Sequence, residues 1–238
     1  MNASALAELV AAEKKAEALL DAIQEQGLIR PGRSETEIDR DIYELAQASF
    51  GVTQHWHKRI VRAGPNTVCV FAENPPVREI QEGDTVFLDL GPVFGEWEAD
   101  VGHTYVMGDD TEKHRLCQDL PRIFDVLKRY FDDHPSVTGA ELYAHARHCA
   151  EAAGWLFGGA IAGHIVGEFP HARIPGNKDH YRISPANPGR MRDPDSLGQP
   201  RYWIIEVHLV DRTRSFGGFY ERLLQPADHA GSRSAAGK

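Results

Sequence analysis

A chain of 238 residues with 42% hydrophobic and 26% charged side chains has the composition of a globular protein and excludes general disorder. Its 35 Asp plus Glu against 26 Lys plus Arg leave a formal charge of −9. With no basic cluster to offset it, that charge excludes nucleic acid and anionic lipid as partners. No run approaches the roughly 20 apolar residues a membrane-spanning helix needs, and no basic-then-apolar leader opens the chain, so the expectation is a cytoplasmic protein. Cys69, Cys117 and Cys149, odd in number and widely spaced, fit buried thiols better than disulfides or a cysteine zinc site. The excess acid and 12 histidines supply the ligand types of divalent metals.

In chain order, Ala3 to Gln26 is Ala/Glu/Lys/Leu-rich with apolar residues at helical intervals and Gly27 as a stop, predicting a first helix. Ser34 and Glu37 form a capping-box pattern that opens a second helix running to about Phe50. His57 to Val70, with Gly64-Pro65-Asn66 inside it, reads as strand, turn, strand. Asp84 to Leu90 and Ala99 to Met107 read as two further strands joined through Gly91-Pro92 and Gly95. A helical half follows: Leu116 to Phe131 is amphipathic, and Thr138 with Glu141 caps a helix through about Ala153. Phe157 to Val166 is expected as a strand, Pro185 to Pro200 as a long surface loop, and Trp203 to Val210 with Gly218 to Leu224 as a last strand pair. Residues 225–238 read as a flexible C-terminal tail, leaving 1–224 as a single catalytic domain. The order helix, helix, strands, repeated once, predicts an α+β fold of two similar halves around one sheet.

Both strand pairs carry facing acids. If Asp89 and Asp100 belong to a simple hairpin, their numbers place the turn centre between Phe94 and Gly95, inside the expected turn. Glu206 and Glu221 place a second centre between Thr213 and Arg214, again in a turn. Facing carboxylates destabilise a sheet unless one is protonated or a cation lies between them. A divalent ion removes the conflict, and His164, after Gly163 at the end of an apolar strand, is the most plausible imidazole to join them.

These residues resemble the pita-bread metallopeptidases, the group of methionine aminopeptidase, aminopeptidase P, prolidase and creatinase. The resemblance rests on Asp89 and Asp100, eleven positions apart in LDLGPVFGEWEADVGHTY, His164 in AGHIVGEFPH, and Glu206 and Glu221 in IIEVHLVDRTRSFGGFYERLL. It implies a curved, mostly antiparallel sheet between two pseudo-symmetric halves, two divalent ions (Mn, Fe, Co or Zn) on Asp89, Asp100, His164, Glu206 and Glu221, and a homodimer. It further implies His171, seven positions after His164, as a donor to the scissile carbonyl, Glu206 as proton shuttle, and hydrolysis of an amide or peptide bond in a small substrate.

The departures lie in the substrate shell. Val207-His208 stands where prolidase-type relatives have Pro-Gly, and His208 shares a strand face with Glu206. Gly102-His103 stands where many relatives carry an Arg motif. The upstream histidine of the peptidases is missing from Val70-Phe71-Ala72, with His55 or His57 as a spatial substitute. His57, His103 and His208 are therefore the expected substrate-binding residues. The added imidazoles motivate an alternative, redox or C–N/C–C bond chemistry on the same centre; a non-enzymatic binding module is disfavoured by retention of all five ligands.

Overall fold

The computed structural model describes residues 3–225; the expected tail lies, from residue 226 on, outside the described residues. Four helices are described, α1 (Ala3–Glu25), α2 (Glu35–Phe50), α3 (Thr111–Asp133) and α4 (Gly139–Ala152). Both expected capping boxes form: Ser34 and Glu37 open α2, and Thr138 and Glu141 open α4, each side chain bonding the other's backbone amide. Helix α3 starts five residues earlier than expected because Asp110 caps it, accepting from the amides of Glu112 and Lys113. Pro121 therefore lies inside the helix instead of near its start. No helix of the described residues is long and apolar enough to cross a membrane.

The strands are β1 (Ile60–Ala63), β2 (Thr85–Leu90), β3 (Val93–Phe94), β4 (Trp97–Glu98), β5 (Val101–Val106), β6 (Leu156–Phe157), β7 (Gly163–Val166), β8 (Tyr202–Val210) and β9 (Gly217–Leu223). Seven of them form an antiparallel sheet in the order β1-β2-β5-β9-β8-β6, with β7 also on β8, while β3 and β4 make a separate small hairpin. Two expectations need correction here. Only β1 forms between His57 and Val70, because Gly64–Val68 coils into a 3₁₀ turn. The Phe157–Val166 segment splits into β6 and β7 around Gly158 to Ala162.

Strand alternation sorts the sheet into two faces. On one, Val86, Leu88 and Leu90 of β2 pack with Leu19, Ile23, Ile38 and Ile42 of α1 and α2. Ile205, Val207 and Leu209 of β8 pack in the same way with Leu116, Leu120, Leu127 and Leu142 of α3 and α4. Each helix pair thus buries half of the same sheet face, the two-halves arrangement expected from the element order. The opposite face is left for the alternate residues of the same strands, among them Asp89, Glu206 and Glu221.

Candidate metal centre

The register across the sheet brings the acids into one row. Ile60 of β1 pairs with Asp89 of β2, Asp89 with Gly102 of β5, Gly102 with Glu221 of β9, and Glu221 with Glu206 of β8. The Glu206–Glu221 pairing is the one the turn centre predicts. Asp89 and Asp100 are not directly opposite: Asp89 faces Gly102, a displacement of two positions, because the turn is centred between Gly95 and Glu96, one position later than expected, a centre that the β3–β4 pairing shares. An even displacement keeps both side chains on one face, and both remain buried, at 8% and 2% exposure. Gly102 leaves the row without a side chain between Asp89 and Glu221.

His164 reaches this row from β7. Gly163 before it has φ 135°, and a Cβ there would stand 1.9 Å from the carbonyl oxygen of Ile204, so only glycine allows β7 to lie this close to β8. The His164 ring donates Nδ1–H to the Ile165 carbonyl at 2.7 Å. Its Nε2 is 3.2 Å from Asp100, 3.6 Å from Glu206 and 3.8 Å from Glu221. Asp100, His164 and Glu221 each bring a ligand atom within 4.8 Å of the others; His57, Asp89 and Asp100 form a second such group. Asp100 belongs to both.

The electrostatics are those of buried acids packed close together. Burial, followed by the charges of Asp100, Glu206 and Asp89, pushes the Glu221 carboxyl well above the ordinary glutamate value. Burial likewise raises Glu206 to about 8 and Asp89 to about 6. For Asp100, burial is outweighed by His57 and His164, which hold it below the usual range. Burial also opposes charge on His164, yet Asp100 and Glu206 raise it to about 9. Glu221 Oε2 is buried with no hydrogen-bond partner, an acceptor for which a cation is the natural complement. Four hard carboxylates and an imidazole fit divalent ions of the manganese-to-zinc series.

The remaining expected residues divide. His171 lines the same cavity, of about 510 Å³; its Nδ1–H and backbone N–H donate to Glu98 at 2.6 and 2.9 Å. His57 also lines the cavity, with Nε2 3.2 Å from Asp100 and 3.4 Å from Asp89. His208 lies one step beyond the acid row, beside Phe87 and Phe219, and spends its Nε2–H on the Thr67 carbonyl at 2.8 Å. Burial lowers its pKa to about 4, so it contributes a neutral ring to the cavity floor. The expectation for His103 is corrected: one position from Gly102 on β5, it faces away from the acid row and packs edge-on against Tyr105. His55 likewise turns toward Tyr43 of α2.

Two further residues contact these histidines. Glu98, 1% exposed, orients His171, and its signal was its place two positions before Asp100 on the way out of a hairpin. Trp56 donates its indole N–H to the Ala99 carbonyl at 3.1 Å and sets its ring edge-on to His57, His164 and His171, with centroids 4.3, 5.1 and 5.0 Å away.

Comparison with solved structures places this geometry in a known fold. A prolidase from Thermococcus sibiricus superposes with a TM-score of 0.67 at 22% identity, over 93% of this chain and 59% of that one. A methionine aminopeptidase from Thermotoga maritima gives 0.67 at 15% identity, over 95% and 98%. An X-Pro aminopeptidase from Thermotoga maritima gives 0.68 at 19%, over 94% and 61%. This chain thus spans about 60% of the length of the first and third of these proteins, and at such identities the likeness establishes the shared pita-bread fold. A search of curated proteins returned no match. The model of metallopeptidase family M24 matches residues 7–193, a span holding Asp89, Asp100 and His164, while Glu206 and Glu221 follow it. With most of the chain covered by that match, and the fold in agreement, the protein belongs to metallopeptidase family M24.

Proposed function

We propose that this protein hydrolyses a peptide or amide bond in a small substrate, with two divalent ions held by Asp89, Asp100, His164, Glu206 and Glu221. The observation that carries the reading is the convergence of four carboxylates and an imidazole on one wall of a cavity of about 510 Å³. The likeness to prolidase, X-Pro aminopeptidase and methionine aminopeptidase structures supports an aminopeptidase or prolidase-like specificity.

Ions bound there would supply a water of lowered pKa and a Lewis acid for the carbonyl. The chain's own groups do the rest. Glu206, a carboxylate 3.6 Å from His164 on the same cavity wall, is the group assigned to take and return the proton that hydrolysis moves. Glu98 fixes Nδ1 of His171 as a donor, so Nε2 is the ring nitrogen left to face the substrate oxygen on which charge develops. Phe71, Phe87 and Phe219 line the same cavity and give it an apolar side.

The redox alternative rested on His103 and His208. His103 faces away, and His208 ties Nε2 to the Thr67 carbonyl while its Nδ1 lies against Gly158, so neither belongs to a ligand group. A cytoplasmic location and a homodimer belong to the same proposal, and sedimentation of the purified protein tests the second. The central test is metal analysis of protein purified without added metal, then a panel of dipeptides and X-Pro peptides with that metal restored. Asp100→Ala should lose both metal and turnover; full activity in that variant overturns the proposal.

A further inference from the structure

One imidazole in the cavity has the placement of a metal ligand without belonging to the five residues above. We infer that His57 is a sixth ligand, binding through Nε2 the ion held by Asp89 and Asp100, so that each ion carries one histidine. The inference rests on the dinuclear reading proposed above and extends its ligand set to a loop upstream of the sheet.

Three observations carry it. First, His57 repeats the hydrogen-bond pattern of His164. Its Nδ1–H donates to a backbone carbonyl, that of Lys58, at 2.6 Å, and this leaves Nε2 turned toward two carboxylates at 3.2 and 3.4 Å. A ligating imidazole is characteristically held this way, its second nitrogen tied to a carbonyl or carboxylate so that tautomer and orientation are fixed.

Second, the spacing is that of donors around an ion. Donors about 2.1 Å from one ion stand about 3.0 Å apart on an octahedron and about 3.4 Å apart on a tetrahedron. A charge-assisted hydrogen bond is shorter, about 2.7–2.9 Å. His171 on Glu98 shows the short kind, at 2.6 Å. His57 and His164 both stand 3.2 Å from Asp100, each on a different oxygen of the carboxylate that the two groups share.

Third, the fold seats the ring rigidly. The loop carrying His57 is tied to the end of β2 by Trp56 N–H to the Gly91 carbonyl, 2.9 Å, and by Val93 N–H to the Gln54 carbonyl, 3.0 Å. Gly91 leaves the space the ring fills: a Cβ there would stand 2.3 Å from His57 Cδ2, 2.4 Å from its Nε2 and 2.6 Å from the Trp56 indole nitrogen. The His57 side chain is 7% exposed.

The test is a count of coordinated imidazoles in the full-length protein loaded with cobalt(II). Each ligating histidine gives one hyperfine-shifted, solvent-exchangeable N–H proton resonance, and both Nδ1–H groups here are protected by a carbonyl. Wild-type protein should show two such signals, His57→Asn one, and His164→Asn the other one. By calorimetric titration with cobalt(II), His57→Asn should weaken one of two binding steps by no less than the roughly 10- to 100-fold that loss of an outer-shell residue produces. Gly91→Ala, which displaces the His57 ring while leaving the other five ligands unchanged, should do the same in part. One signal in the wild type, unchanged by His57→Asn, overturns the inference and leaves the dinuclear reading standing. Failure of the wild type to bind cobalt overturns both.

Discussion

Metal loading should release protons in a number the cluster itself sets. In the chelated protein at pH 7, four groups that must be deprotonated to ligate hold protons. Glu221 is raised well above 4.5 by burial and neighbouring charge, and burial raises Glu206 to about 8. For His57 and His164, burial is outweighed by the adjacent carboxylates, which raise them to about 10 and about 9. Asp89 and Asp100 are ionised at this pH and have nothing to shed. Loading with manganese(II) should therefore release about two to four protons, the lower figure allowing for protons shared between neighbours. Titration calorimetry in two buffers of different ionisation enthalpy reads the number directly, and His57→Asn should reduce it. The sign for stability follows from the same shifts. Each folded value lies above its unfolded one, so the contribution to the metal-free fold is complete below 4.5 for the glutamates and 6.5 for the histidines, and is lost as pH rises through about 8 to 10. Melting of the chelated protein should fall across that window and melting of the loaded protein much less. Release of less than one proton at pH 7, or a chelated protein that gains stability between pH 7 and 10, refutes the reasoning.

Three further outcomes are open to measurement. Gly102→Ala places a Cβ 2.5 Å from the Phe219 ring and 3.0 Å from Glu221 Cβ; it should cost about 1–3 kcal/mol in urea unfolding and lower the metal content, and wild-type values for both would contradict the row geometry. Glu98→Gln removes the charge that orients His171 and should cut turnover about 10- to 100-fold with metal content retained; loss of metal instead would place Glu98 in a different role. His208, neutral and buried with its pKa near 4, lets the unfolded chain take up a proton first as pH falls below 6.5. Stability should drop by about 2 kcal/mol between pH 7 and 5 on this account, a slope that His208→Gln, which keeps the bond to Thr67, should flatten.

What was legible in the sequence follows from what strand parity can and cannot carry. The Glu206–Glu221 pairing is recoverable because a single turn joins β8 to β9, and one turn centre fixes every pair in the hairpin. The Asp89–Asp100 register differs from the expected one by two positions, since the turn is centred one residue later, between Gly95 and Glu96, yet the face survives because moving a turn centre by one residue shifts every pair by two. The same parity decides the histidines: His103 stands one position from Gly102 and falls on the helix-backed face, while His208 stands two positions from Glu206 and falls on the cavity face. Parity gave His208 its face but not its partner, the Thr67 carbonyl, which arrives from a 3₁₀ turn distant in sequence. His57 lies in a loop, where no alternation exists. Its reach to the acids depends on backbone bonds from Trp56 to Gly91 and from Val93 to Gln54, and on the missing side chain at Gly91. A glycine immediately after the ligand strand reads, in the sequence, only as a turn. Its second meaning, as the space into which a distant imidazole fits, exists only once two segments more than thirty positions apart are brought together, and that is where this site departs from what its strands alone prescribe.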